Sequence, residues 1–175
     1  MKSFIISTIL MLAIPVFGAE ISVELDRCVV INASNDNTAE SRFAFNFTLP
    51  NEVAGKEIIY AEFYVPVAIQ NQESDLLYEF ILFPLTSDWA ENEIDYENSE
   101  AITDSMSMGA YTVTLESTND FHIDITPYIM ELVAGDRSNY GLIAYGDLLG
   151  DANIQLPENL GQAIVSNAAV RIIYK

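Results

Sequence analysis

Basic residues are scarce in this chain: Lys and Arg number 7 against 26 Asp and Glu, a net charge of −19. That balance excludes a nucleic-acid partner, because neutralising phosphates takes a basic patch. It disfavours anionic polysaccharides and anionic lipid surfaces on the same ground. There is a single cysteine, so no internal disulfide forms and the hydrophobic core must supply the stability. Cys28 lies in ELDRCVVI beside valines, the setting of a small buried hydrophobe. The one histidine, His122, and the one cysteine cannot assemble the three or four ligands of a Zn2+ site. No nucleophile and base stand with an obvious orienting group either. Past the N-terminus, no apolar run reaches the roughly 20 residues of a membrane-spanning helix.

What is present begins with a segment of export character. Lys2 supplies a positive start, FIISTILMLAI an apolar stretch too short to span a bilayer, Pro15 a break, and Gly18 or Ala19 a small residue for cleavage. Residues 1–18 are therefore expected to be a signal peptide and residues 20–175 a single secreted or cell-surface domain.

Strand patterns dominate that domain. SRFAFNFTL (41–49) puts Phe43, Phe45 and Phe47 on one face, the period of a half-buried strand. EIIYAEFYVPVAI (57–69) aligns Ile59, Ala61, Phe63, Val65 and Val67, with Pro66 marking an edge or a bulge. YEFILFPLT (78–86) is expected to turn Ile81, Phe83 and Leu85 inward, AYTVTLES (110–117) Tyr111, Val113 and Leu115, and FHIDI (121–125) Phe121, Ile123 and Ile125. His122 then falls on the outer, solvated face. Thr126 as N-cap, Pro127 in the first turn and an apolar repeat up to Gly135 predict one short helix. NYGLIAYG (139–146) and QAIVSNAAVRIIYK (162–175) return to strand character. Turns rich in Gly, Pro, Asn, Asp and Ser separate these runs. The pattern is that of an all-β, antiparallel sandwich with one short helix.

Several of these pieces, taken in order, form a familiar series. They are Ser41-Arg42-Phe43-Ala44-Phe45-Asn46-Phe47, then Thr86-Ser87-Asp88-Trp89-Ala90-Glu91 with Tyr96 and Asn98 after it, and Ile123-Asp124-Ile125-Thr126 before a helix. Asn139-Tyr140-Gly141-Leu142 and a terminal Val170-Arg171-Ile172-Ile173-Tyr174 complete it. From about residue 40 onward the chain resembles the DNRLRE family of extracellular domains, also grouped with carbohydrate-binding module family 96. The resemblance implies a jelly-roll-like β-sandwich and a non-catalytic role, as a module of polysaccharide-degrading enzymes or of large surface proteins. Family members that hold acidic glycans do so with basic residues. This chain has almost none, and GDLLGDANIQLPENLGQAI (146–164), before the last strand, carries no Arg.

The candidate ligand-binding residues are the aromatics Trp89, Tyr96, Tyr140 and Tyr145, whose ring faces match the apolar face of a pyranose; a strand-flanked Trp89 more readily caps the core, and the three tyrosines share that ambiguity. Asp88, Glu91, Glu93, Asp95 and Glu97 crowd one turn, where charge runs are ordinarily solvated faces and not the opposed pair of a glycosidase. Asp147, Asp151 and Asn153, in the loop 146–153, are the oxygen ligands best placed for Ca2+, with Asn35-Asp36-Asn37 similar. Asn32-Ala33-Ser34 and Asn46-Phe47-Thr48 match the N-glycosylation sequon. The expected function is a non-catalytic module that binds extracellular polysaccharide. The alternative is a structural or adhesive surface protein that self-associates through strand edges or is bridged by Ca2+.

Overall fold

The structure, a computed structural model, describes residues 18–32, 41–66, 77–114, 120–148 and 158–175. Nine strands are described: β1 (Ala19–Glu24), β2 (Arg27–Asn32), β3 (Ser41–Asn46), β4 (Ile58–Val65), β5 (Leu77–Pro84), β6 (Gly109–Thr114), β7 (Phe121–Asp124), β8 (Leu142–Leu148) and β9 (Ala169–Tyr174). They form two fully antiparallel sheets, a four-stranded one ordered β1-β9-β4-β7 and a five-stranded one ordered β2-β3-β8-β5-β6. The pairs β5–β6, β4–β7, β3–β8 and β1–β9 are nested one outside another, as when a long hairpin is rolled over itself. This is the topology of a jelly roll with β2 added at one edge.

The sheets face each other across a phenylalanine-rich core. Phe43 and Phe45 of β3 meet Phe63 of β4 with centroids 5.4 and 4.3 Å apart, and Phe80 of β5 packs edge-on against Phe43 at 5.5 Å. All are fully buried, with Val65, Leu82, Ile123, Leu142, Val170 and Ile172 around them. Burying each such side chain contributes on the order of 1.5–3 kcal/mol, which is how the fold stands without a disulfide.

Among the described residues three α-helices accompany the strands, not one. They are α1 (Tyr96–Ser99), α2 (Thr126–Ala134) and α3 (Glu158–Asn167). Helix α2 is the expected one, and it seats Tyr128 and Ile129 in the core and ends at Gly135, whose φ of 78° suits a residue without Cβ. Thr126 does not cap it: its hydroxyl reaches β4, accepting from the Ala61 amide at 2.8 Å, while Asp124 Oδ1 accepts from the Thr126 amide. The stretch 162–175, read as strand throughout, is helical up to Asn167. Ile164 and Val165 suggest a strand by their branching, yet Ala163 and Ile164 form one buried helical patch against the core, with Val165 turned out.

Other strand expectations change for physical reasons. Strand β3 is buried on both faces, not half-buried. In β5 the inward residues are Phe80 and Leu82, whereas Ile81 and Phe83 face out and Leu85 belongs to a separate apolar cluster. Both faces of β5 are apolar there, so alternation alone could not choose between them. Strand β4 lies inside its sheet and stops before Pro66; its irregularity is at the opposite end, between Ile58 and Tyr60, and leaves Ile59 exposed. Val67 and Leu115 lie outside the described residues. Among the described residues, no helix is long and apolar enough to cross a membrane.

Candidate functional site

Residues 85–108 join β5 to β6 and fold back over the outer face of the five-stranded sheet. The base of this lid is tied by Leu85 donating to the Gly141 carbonyl (2.9 Å), Thr86 to Ile102 (2.8 Å) and Asp104 to Pro84 (2.9 Å). Gly141, at φ 97°, passes so close to the Phe45 carbonyl that no Cβ fits. Asp95 and Asn98 cap α1 reciprocally, as a capping box, and so shape the middle of the lid. Beneath it lies a second apolar cluster of Ile31, Ala44, Leu85, Trp89, Ile94 and Ile143.

Arg42 pins this cover. It projects from the outer face of β3 and is only 2% exposed. Its guanidinium lies 3.8 Å from the centroid of Tyr96 and 4.2 Å from that of Tyr145. It donates to the Tyr96 carbonyl and to Ser99 Oγ, both at 2.9 Å, and to Glu100 Oε1 at 3.0 Å. A buried guanidinium is tolerated because its terminal nitrogens meet three acceptors and two aromatic rings lie against it.

All four aromatic candidates come together here, in different roles. Trp89 is buried to 6% exposure, donates from Nε1 to the Tyr140 carbonyl at 2.9 Å and lies under Arg27. Its ring closes the lid and offers no open platform. Tyr96 is committed to Arg42, and Tyr140 packs at the margin of the cluster. Trp89, though nearly buried, lines a pocket of about 270 Å³ with Asp88, Ile94, Asn98 and Ile102, and Tyr145 also borders open space. With Ile81 and Phe83 it floors a shallow groove of about 430 Å³ rimmed by Glu100, Thr103, Asp104 and Ser105. Phe83 meets Tyr145 edge-on at 5.2 Å, and the Tyr145 and Thr103 hydroxyls are 3.0 Å apart. The alternation expected for β5 points Ile81 and Phe83 to the core and so hides them, while Thr103 in the lid carries no local signal. An apolar residue at every position from 80 to 83 was the signal that both faces of β5 are covered.

The acidic residues of the lid are largely occupied. Asp88 pairs with Arg27 at 2.7 Å, and that bond, followed by the Trp89 amide, holds its carboxyl below the usual range. Glu91 Oε1 accepts from the Cys28 amide at 2.9 Å and so covers part of the outer edge of β2. Asp104 accepts from the Met106 amide and pairs with Arg137 at 3.0 Å, contacts that lower its pKa. A carboxyl held low is suited to accept hydrogen bonds and unsuited to protonate a leaving group at neutral pH. Cys28 is buried, and desolvation, followed by Glu91, pushes its thiol up to about 12, the opposite of a reactive thiolate.

The outer face of the four-stranded sheet is of another kind. Glu62 of β4 is 5% exposed and accepts from the Tyr60 hydroxyl (2.9 Å); Arg171 Nη1 of β9 is 2.9 Å from its Oε1 and His122 Nδ1 of β7 is 3.2 Å from its Oε2. Tyr64 donates to Asp120 and is flanked by Arg171 at 4.3 Å and the His122 ring at 5.0 Å. His122, expected to be merely solvated, is thus tied into a lattice. Burial, followed by the bond to Glu62, raises the Tyr60 pKa to about 12.

Among the described residues, no three His, Cys, Asp or Glu side chains converge as a metal site. Asp151, Asn153, the Asp147 side chain and Asn35-Asp36-Asn37 lie outside the described residues. Of the two sequons, Asn46 is 8% exposed with its Oδ1 bound by the Phe47 amide, while Asn32 is exposed and its Oδ1 accepts from Ser41. Compared with known proteins, the chain matches no family model and no curated sequence.

Proposed function

We propose that the protein is a secreted, non-catalytic binding module for neutral or weakly charged polysaccharide, held in the groove beside the lid, as its resemblance to the DNRLRE domains suggests. The observation that carries this reading is the groove floor. Phe83 and Tyr145 form a partly open aromatic surface on a rigid sheet, and the Thr103, Ser105, Glu100 and Asp104 oxygens on the rim are suited to sugar hydroxyls. The fixed, ion-paired state of Asp88 and Asp104 supports the absence of catalysis, since glycoside hydrolysis needs one carboxylic acid kept protonated.

Retention on insoluble glycans tests it. The protein is expected to be pulled down by at least one polysaccharide, and Tyr145→Ala to weaken retention about five- to tenfold, as the loss of about 1 kcal/mol or a little more in aromatic contact implies. Unchanged retention in Tyr145→Ala and Phe83→Ala would place the ligand elsewhere. A second reading, a self-associating surface protein, is favoured by the outer edge of β1, which has no strand partner among the described residues. It predicts assembly that grows with protein concentration in sedimentation velocity, without glycan retention.

A further inference from the structure

The charge around the groove narrows the ligand further, on the premise that the groove holds a glycan. The lid carries seven carboxylates between residues 85 and 108 and neither Lys nor Arg. Three arginines reach it from elsewhere. Arg27 meets Asp88, Arg42 meets Glu100 from a fully buried position, and Arg137 divides its guanidinium between Asp104 and Glu131. The lid therefore remains net negative, and the Glu100 side chain is 65% exposed at the groove rim. The whole chain, at −19, adds to that field. A uronate or sulfated chain approaching the groove meets repulsion, a neutral chain meets only the aromatic floor, and a cationic chain is drawn in.

We infer that the groove's occupant is a polysaccharide of amino sugars bearing free, unacetylated amines. The apolar face of the sugar ring lies against Tyr145 and Phe83, as for any pyranose. The ammonium then adds two attractions that a hydroxyl or an acetamide cannot supply: a charge-assisted hydrogen bond to Glu100 or Asp104, and a cation held beside aromatic rings. Both carboxylates are already fixed by Arg42 and Arg137, so little ordering of the protein accompanies binding. Arg42 shows the same chemistry within the protein, a cation between Tyr145 and Tyr96 with a carboxylate at its end.

The test compares the full chain on five immobilised polymers: a deacetylated glucosamine polymer, its acetylated counterpart, a neutral glucan, a polyuronate and polylysine. It is run at pH about 5.5, where amines are protonated and exposed carboxylates ionised. Retention on the deacetylated polymer is expected to exceed that on its acetylated counterpart about tenfold at low salt, and the gap to shrink strongly at about 0.5 M NaCl. The exposed-lid variant Glu97→Gln, outside the groove lining, should reduce the preference while leaving the acetylated polymer unaffected; Glu100→Gln should reduce the preference further, and Tyr145→Ala should weaken retention on both polymers. Equal or better retention on the acetylated polymer or the neutral glucan would overturn this inference and leave glycan binding standing. So would retention on the polyuronate. Retention on polylysine as strong as on the deacetylated polymer, and insensitive to Tyr145→Ala, would show charge attraction without sugar recognition and overturn it too. Retention on none of the polysaccharides would remove glycan binding itself, and this inference with it.

Discussion

On the outer face of the five-stranded sheet, Ala44 and Ile143 are fully buried and Arg42 is sealed among aromatic rings, because residues 85–108 lie across them. On the outer face of the four-stranded sheet, Glu20, Glu62, Arg171 and His122 stand in a lattice with no described element over them, and the helices that touch β4 do so from the core side. Both faces contain a nearly buried charge, but the charges are held by different means. Arg42 is enclosed by a loop that it fastens down, while Glu62 is enclosed by its own neighbours on the strands beside it. The first arrangement leaves a groove where the cover ends. The second fills the sheet surface with mutually satisfied polar groups, between which the Tyr60 and Tyr64 rings stand half-buried. A charge that fastens a separate segment shapes a site; a charge satisfied within its own sheet stabilises the sheet alone.

The sharpest way to break this contrast is Arg42→Met. It fills much of the volume but takes the guanidinium donor from the Tyr96 carbonyl and Ser99 hydroxyl, leaving them their bond to each other, takes the cation from Glu100 and removes two cation–π contacts. Urea denaturation should show a loss of about 3 kcal/mol, and limited proteolysis should cut within residues 85–108 before the sheets unfold. Loss of stability with the lid still protected would show that Arg42 supports the sheet and not its cover. A smaller effect is expected on the other face. Glu62→Gln keeps the shape but removes the charge shared by Arg171, His122 and Tyr60. It should destabilise by about 1.5 kcal/mol in urea and leave the proteolysis pattern of the lid and glycan retention unchanged. If Glu62→Gln impaired retention, the four-stranded face would have to be part of the site.

Acid sharpens the comparison with the smallest expected change. Asp104 has its pKa held below the unfolded value of about 3.9, so its contribution is complete above that pH and disappears as pH falls through the lower folded value. Wild type should therefore exceed Asp104→Asn in melting temperature near pH 7, with the difference narrowing below about pH 4. A constant difference across that range would mean that Asp104 acts through shape and not through its charge. Asp88, lowered by Arg27, should behave the same way more weakly, being largely exposed to solvent.

The core was legible where one face alone was apolar. Phe43 and Phe45 on β3 with Phe47 just after it, Ala61, Phe63 and Val65 on β4, and Ile123 and Ile125 around β7 fall inward as their alternation requires. Reading failed where both faces were apolar, as at Phe80–Phe83, because a period of two carries no phase when every position is greasy. It failed again at 162–167, where β-branched residues sit in a helix that packs beside β2 and the core. The site was half legible. Trp89, Tyr96, Tyr140 and Tyr145 do cluster, but which ring is committed to packing and which meets open space depends on where a loop from β5 comes to rest. The lattice around Glu62 had a readable trace, since Tyr60, Glu62 and Tyr64 alternate outward on one strand. Its partners Arg171 and His122 lie far off in sequence.

Alternation of side chains, turn chemistry and the imbalance of charge are local properties, and they determined by themselves that this is an antiparallel β-sandwich with an acidic surface and no disulfide. The covering of one sheet by residues 85–108, the sealing of Arg42 between Tyr96 and Tyr145 and the groove left beside them were decided only by the tertiary structure. Each depends on contacts between segments more than forty residues apart, whose pairing is set by the rolled topology that brings β3, β5 and β8 side by side and not by any pattern within a strand.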